Sequence, residues 1–118
     1  MDKPKLYTMT FARVYPLYIA KVERKGRTRA ELDAVIFWLT GYDAASMQQQ
    51  IDDEVDLEAF VTEAPQINAN ASKIKGVICG IRVEEIDDAV TQRIRWMDKL
   101  VDELAKGKAL DKVLRSGG

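Results

Sequence analysis

The sequence contains no histidine and a single cysteine, Cys79, among its 118 residues. Without histidine the commonest general base is missing, so Ser-His-Asp and Cys-His catalysis are excluded. One cysteine and no histidine also cannot supply the nitrogen and sulfur ligands of a usual structural zinc site. We therefore predict no catalytic residue, no metal site and no cofactor. Because a lone cysteine forms no internal disulfide, we expect a protein of the reducing cytoplasm.

Long apolar segments are also missing, since no run approaches the ~20 residues that span a bilayer. Residues 1–7 lack the apolar core of a secretory signal, and no repeat or linker divides the chain. A composition of 47% hydrophobic and 31% charged residues is typical of a soluble globular protein. We expect one domain over residues 1–118, with ends that fray at 1–6 and 116–118.

Positively charged residues are missing from the middle of the chain. Residues 31–65 contain 9 acidic residues and no basic residue, whereas residues 1–30 contain 8 basic and 2 acidic residues. We interpret this pattern as a basic opening segment that lies against the acidic middle, within the fold or in a neighbouring subunit. The alternative is a surface with one basic and one acidic partner site.

Helix signals recur along the chain and predict a mainly helical (all-α) domain of about six helices. Pro16 suits the first position of a helix that ends near Lys25, with Gly26 as its left-handed cap. Thr28 and Glu31 have the spacing of a capping box. The helix that they open repeats apolar residues at i, i+3, i+4 and i+7. These residues are Leu32, Val35, Ile36 and Leu39.

The second half of the chain begins with short helices and ends with a long one. Asp43 and Asp56 are placed to cap two short helices, and Pro65 ends the second. We interpret the acids at 84–88 as the start of the long helix, where negative charge suits the helix dipole, rather than as a metal site. One apolar stripe follows on that helix. Its members are Val90, Ile94, Met97, Leu100, Val101 and Leu104.

Residues 74–83 hold the cysteine, two glycines and two cations in an apolar run, and their pattern leaves helix and strand open. In a helix, Lys75 and Arg82 lie at i−4 and i+3 from Cys79, where they would favour a nucleophilic thiolate. In a strand, Arg82 points to the opposite face. We favour the interpretation that Cys79 packs as a small buried hydrophobic residue. The alternative hypothesis is a site for a small anionic ligand or a thiol reaction at Lys75, Cys79 and Arg82.

The helix pair around Gly41 and Asp43 superficially resembles a helix-turn-helix. Its second helix carries glutamines at 48–50, and glutamine reads adenine in the major groove. Acids follow at 52–54, however, and would repel phosphates. Nucleic-acid binding is therefore the third and least favoured hypothesis.

Aromatic residues beside the main apolar stripes indicate a second contact surface. Phe37 and Trp38 widen one stripe, and Trp96 lies off the stripe of the long helix. We therefore predict a homodimer, or another homo-oligomer, with no membrane contact. The leading functional hypothesis is a non-enzymatic interaction or regulatory module that self-associates, with another protein partner as a variant.

Short motifs along nearly the whole chain resemble a family of single-domain bacterial proteins catalogued as a domain of unknown function. The resemblance implies a compact, mainly helical fold. It implies no activity, substrate or site residue. The motifs are Tyr15-Pro16-Leu17-Tyr18, Lys25-Gly26-Arg27-Thr28, Trp38-Leu39-Thr40-Gly41-Tyr42-Asp43, Ile74-Lys75-Gly76-Val77-Ile78-Cys79-Gly80, Arg82-Val83-Glu84-Glu85-Ile86 and Leu104-Ala105-Lys106-Gly107-Lys108.

Overall fold

Seven α-helices and one small hairpin make up residues 5–115, the part of the chain that the computed structural model describes. The mainly helical prediction is confirmed. The helices are α1 (Lys5–Thr8), α2 (Phe11–Arg24), α3 (Arg29–Thr40), α4 (Ala44–Asp52), α5 (Leu57–Thr62), α6 (Ala89–Ala105) and α7 (Leu110–Leu114), and the strands are β1 (Val77–Ile78) and β2 (Ile81–Arg82). Short 3₁₀ turns occupy Ala69–Lys73 and Val83–Glu85. Of the predicted fraying at 1–6 and 116–118, residues 1–4 and 116–118 lie outside the described residues, whereas residues 5 and 6 begin helix α1.

The predicted caps of α3, α4 and α5 are confirmed. Thr28 Oγ1 accepts a hydrogen bond from the Glu31 amide at 3.1 Å, and Glu31 Oε1 accepts one from the Thr28 amide at 3.1 Å. Asp43 and Asp56 cap α4 and α5 through their side-chain oxygens. These bonds satisfy amides that have no partner inside the helix, which is why each helix starts where the local sequence indicates.

Helix α2 begins at Phe11 rather than at Pro16, so the predicted start was wrong. Thr10 caps the helix, and the Phe11 amide donates a hydrogen bond to the Val55 carbonyl at 2.9 Å. Pro16 lies inside the helix, where its ring nitrogen cannot donate an intrahelical bond. A partner distant in sequence therefore helps to set this helix start, and no local pattern identifies that partner.

The core is built around α6, which packs against α2, α3, α5 and α7. The predicted stripe of this helix is confirmed, since Ile94, Met97 and Leu100 are fully buried and Val101 and Leu104 are buried with them. Burial of each such side chain contributes about 1.5–3 kcal/mol relative to leaving it exposed. Among residues 5–115, no helix combines the length and the hydropathy that crossing a membrane requires.

Tyrosines of the first two helices hold α1 and α2 against the rest of the domain. Each donates a hydrogen bond to an aspartate, in the pairs Tyr7 with Asp88, Tyr15 with Asp33, and Tyr18 with Asp98. Farther along α2, the Lys21 ammonium pairs with Asp102 at 3.2 Å. On α2, Tyr18 precedes Lys21, and on α6 the partner of Tyr18, Asp98, precedes the partner of Lys21, Asp102. Helix α2 therefore runs parallel to α6.

Residues 74–83 contain the two short strands of a hairpin, so the helical alternative is wrong and the strand alternative is confirmed in part. Strand β1 pairs antiparallel with β2, with Val77 opposite Arg82 and Ile78 opposite Ile81. Cys79 and Gly80 form the turn with φ of +52° and +78°. Two successive left-handed residues are typical of a two-residue hairpin turn, and glycine adopts this conformation without strain. The turn places Cys79 at the tip.

Tyr15 and Tyr42 are expected to make the protein lose stability above pH 10. Burial, followed by the hydrogen bond to Asp33, raises the pKa of Tyr15 to about 12. Burial, followed by the charge of Glu63, raises the pKa of Tyr42 to about 12. The unfolded chain releases both protons near pH 10, so stability is complete below pH 10 and falls as the pH rises toward 12.

Thermal melts between about pH 8 and about pH 12 measure this loss. In Tyr42→Phe, the slope of stability against pH should become shallower by up to about one proton. An alkaline slope that is the same in the variant and the parent would contradict the assignment.

Candidate functional site

The three residues that the sequence analysis singled out do not meet. Cys79 is exposed at the hairpin tip, where its Sγ accepts a hydrogen bond from Arg95 Nη1 at 3.5 Å. Arg82 pairs instead with Glu84 at 3.7 Å, and Lys75 is exposed. Within residues 5–115, no hydrogen bond or ion pair joins Lys75 or Arg82 to the thiol. The cation beside Cys79 is Arg95 on α6, which no local spacing identified.

A carboxylate compensates the positive charge of Arg95, the cation beside the thiol. Arg95 Nη1 pairs with Asp98 Oδ2 at 3.0 Å, and Asp98 also accepts the hydrogen bond from Tyr18. Burial and the Asp98 carboxylate raise the pKa of Tyr18 well above its usual value, so this hydroxyl stays protonated and donates. Because Asp98 compensates the guanidinium, the arrangement leaves little net positive charge to activate Cys79.

The hairpin is also attached to α6 through its backbone. Lys99 Nζ donates a hydrogen bond to the Val77 carbonyl at 3.2 Å. Lys99 lies so close to Gly76 that a Cβ there would be 3.0 Å from Lys99 Cε. Among residues 5–115, no three metal-ligating side chains cluster. An activated thiol at Cys79 stays a prediction, and a thiol that resists alkylation in the native protein would refute it.

A groove lies between α1 and the start of α2, and sequence reasoning missed it. Its volume is about 550 Å³. Two of its apolar side chains, Met9 and Leu17, are 36% and 63% exposed. We call this feature the α1–α2 groove. It is lined by Lys5, Thr8, Met9, Thr10, Arg13 and Leu17.

The groove combines apolar surface with positive charge. Lys5 and Arg13 are exposed, and neither forms an ion pair within residues 5–115. Among residues 5–115, no acidic side chain lines the groove. The basic opening segment pointed to these cations, but nothing in the helical pattern identified Leu17 as exposed. The groove suits a partner that offers carboxylates beside apolar side chains.

An acidic corner lies next to the groove, at the end of α4. It consists of Asp52, Asp53 and Glu54, all exposed. The first two carboxylates accept hydrogen bonds from neutral glutamine amides at 2.9 and 3.0 Å, and none of the three forms an ion pair within the described residues. The basic opening segment thus meets the acidic middle elsewhere, through Arg27–Glu31 and Arg29–Asp33 ion pairs.

The aromatic residues at which we predicted a second contact surface are partly exposed. Phe37, Trp38 and Trp96 are partly buried and pack against the protein's own core. Among residues 5–115, the exposed large apolar side chains are Met9 and Leu17 at the groove and Val77 and Ile81 on the hairpin. The most exposed apolar surface of the described residues therefore lies at the groove and the hairpin rather than at the predicted aromatic residues.

The helix pair α3–α4 offers little to nucleic acid. Gln48 and Gln49 are exposed, but their amides donate hydrogen bonds to Asp52 and Asp53. Phosphate contacts normally dominate affinity, and this surface carries carboxylates instead. Nucleic-acid binding stays a prediction of the lowest rank.

Comparison with known proteins gives two matches. A family model described as "Uncharacterized protein conserved in bacteria (DUF2200)" matches residues 5–115. The crystal structure of uncharacterized protein SP1917 is similar, with a TM-score of 0.89 and 46% sequence identity. The similarity covers 97% of this chain and 93% of that chain. No curated protein matches the sequence.

Proposed function

Since the chain belongs to DUF2200, a family of uncharacterised proteins conserved in bacteria, we propose a function from its own surface. The protein is a non-enzymatic interaction module of the cytoplasm, and it associates with a second copy of itself through the α1–α2 groove. The observation that carries this proposal is the exposure of Leu17, at 63%, beside two cations that have no ion-pair partner within residues 5–115.

The position of Leu17 on α2 supports an intermolecular role. Phe11, Val14, Tyr15, Tyr18 and Val22 form the buried face of this helix. Leu17 lies outside that face, so its side chain does not contribute to the core of its own domain. Removing a leucine side chain from water contributes about 1.5–3 kcal/mol, and a two-fold contact does so twice. Two such side chains supply a substantial share of the free energy that micromolar association requires.

The cytoplasmic setting has support of its own. The exposed thiol of Cys79 has no second cysteine in the chain with which to pair. A free surface thiol is compatible with a reducing compartment, where it is not oxidised.

Leu17→Ser is expected to weaken self-association at least about 10-fold, because it removes the exposed apolar side chain from the contact. Sedimentation velocity over a range from about 1 μM to about 1 mM measures the dissociation constant. Val77→Ser is the matched control, since Val77 is 50% exposed but lies on the hairpin, outside the groove.

Two outcomes would overturn the proposal. The first is a parent protein that remains monomeric over the whole concentration range. The second is a dimer that Val77→Ser weakens and Leu17→Ser leaves unchanged, which would move the contact to the hairpin.

A further inference from the structure

The α1–α2 groove and the acidic corner carry opposite charges on adjoining parts of one surface. On the basis of the proposed self-association, we infer that the groove of each copy binds the acidic corner of the other copy, in a two-fold symmetric dimer. The partner of the groove is thus the segment Asp52, Asp53 and Glu54 of a second copy.

A short backbone bridge places the two features side by side. The Leu57 amide donates to the Met9 carbonyl at 2.8 Å, and the Phe11 amide donates to the Val55 carbonyl at 2.9 Å. Thr10, which lines the groove, is thereby paired antiparallel with Asp56, two residues after Glu54. The groove and the acidic corner are therefore held in a set relation to each other.

Two-fold symmetry makes such a pair of features complementary to itself. In an isologous contact, residue i meets residue j of the second copy, and residue j meets residue i. A basic groove beside an acidic corner then forms the same attractive contact twice. Met9 and Leu17 supply apolar area that the same contact would cover. Two adjacent patches of like charge would instead repel their counterparts.

The three acids of the corner are exposed, and none forms an ion pair within residues 5–115. Glu54 is in the left-handed conformation at φ +53°, and its amide donates to the Ile51 carbonyl at 3.1 Å. The turn therefore ends α4 abruptly and leaves the carboxylates exposed. Asp52 and Asp53 receive hydrogen bonds from uncharged amides, which leaves their negative charge uncompensated. The same three acids lie in the segment that contains no basic residue.

A charge-reversal pair tests this inference directly. Arg13→Glu replaces one of the two cations of the groove with an acid, and Glu54→Lys replaces one of the three acids of the corner with a cation. Each variant alone replaces an attraction between opposite charges with a repulsion between like charges at both halves of the dimer, so we expect each to self-associate at least about 10-fold more weakly than the parent. In an equimolar mixture, the new glutamate of the altered groove on one variant meets the new lysine of the altered corner on the other, and the unaltered groove meets the unaltered corner. Both halves are then attractive, so a heterodimer should form with near-parental affinity.

The mixture is measured with one variant carrying a fluorescent label at Cys79, by sedimentation with fluorescence detection. Arg24→Glu is the matched control, because Arg24 is an exposed cation of α2 outside the groove, and it should leave the dissociation constant within about 2-fold of the parent. A single cooperative thermal unfolding transition in each variant shows that both are folded. Parental association should also weaken with added salt.

The outcomes separate this inference from the proposed function. If Leu17→Ser disrupts the dimer but the mixed variants pair no better than each variant alone, the groove is the contact and the acidic corner is not its partner. If Arg24→Glu weakens association as much as Arg13→Glu, only net charge matters, and the inference is also overturned. A parent that stays monomeric defeats the proposed function itself.

Discussion

Phe60→Ala is expected to lower the free energy of unfolding by about 3–5 kcal/mol. Phe60 is fully buried, and its ring stacks on Phe11 with a centroid distance of 3.9 Å and on Tyr42 at 4.7 Å. Truncation leaves a cavity where α5 meets α2, and it removes both ring contacts. Because whole domains have a stability of about 5–15 kcal/mol, the loss is a large part of the total.

Urea or guanidinium unfolding of the variant and the parent measures this difference. Ile81→Ala serves as the control, because Ile81 is 43% exposed and its truncation should cost less than about 1 kcal/mol. A loss below about 1.5 kcal/mol for Phe60→Ala would mean that the core closes around the missing ring.

Gly41→Ala is expected to destabilise the protein by about 2–4 kcal/mol. Gly41 ends α3 with φ +80°, a left-handed conformation that alanine adopts at a cost. A Cβ at this position would also lie 2.8 Å from the backbone nitrogen of Gln66 and 3.0 Å from the backbone carbonyl oxygen of Gln66. That backbone cannot easily move away, since the Gln66 amide donates to the Thr40 carbonyl and the Asn68 amide donates to the Leu39 carbonyl, both at 3.0 Å.

Gly26→Ala is the matched control for Gly41→Ala. Gly26 has nearly the same φ, +82°, but no atom lies within 4 Å of the position that a Cβ would take. The control should therefore cost only the conformational penalty, about 1 kcal/mol. The difference between the two variants measures the steric contact with Gln66. Equal losses would show that backbone conformation alone accounts for both.

Local sequence patterns were sufficient for the parts of the fold that depend on neighbours a few residues apart. The capping box of Thr28 and Glu31 and the buried stripe of α6 are examples, because their hydrogen bonds and periodicity arise within one or a few turns. The start of α2 was missed, since it depends on a hydrogen bond from Phe11 to Val55. The hairpin at 77–82 was missed as well, because its strands have two residues each and show no alternation to read.

The sequence by itself determined which chemistry is excluded and where opposite charges are concentrated. The absence of histidine removes catalysis that depends on an imidazole, and the acidic segment at 31–65 follows a basic one in any conformation. Tertiary structure alone decided which of these groups meet. It placed Arg95 rather than Lys75 or Arg82 beside Cys79, and it set the α1–α2 groove next to the acidic corner. Such contacts depend on how whole helices pack, and packing is a property of the complete core rather than of any local pattern.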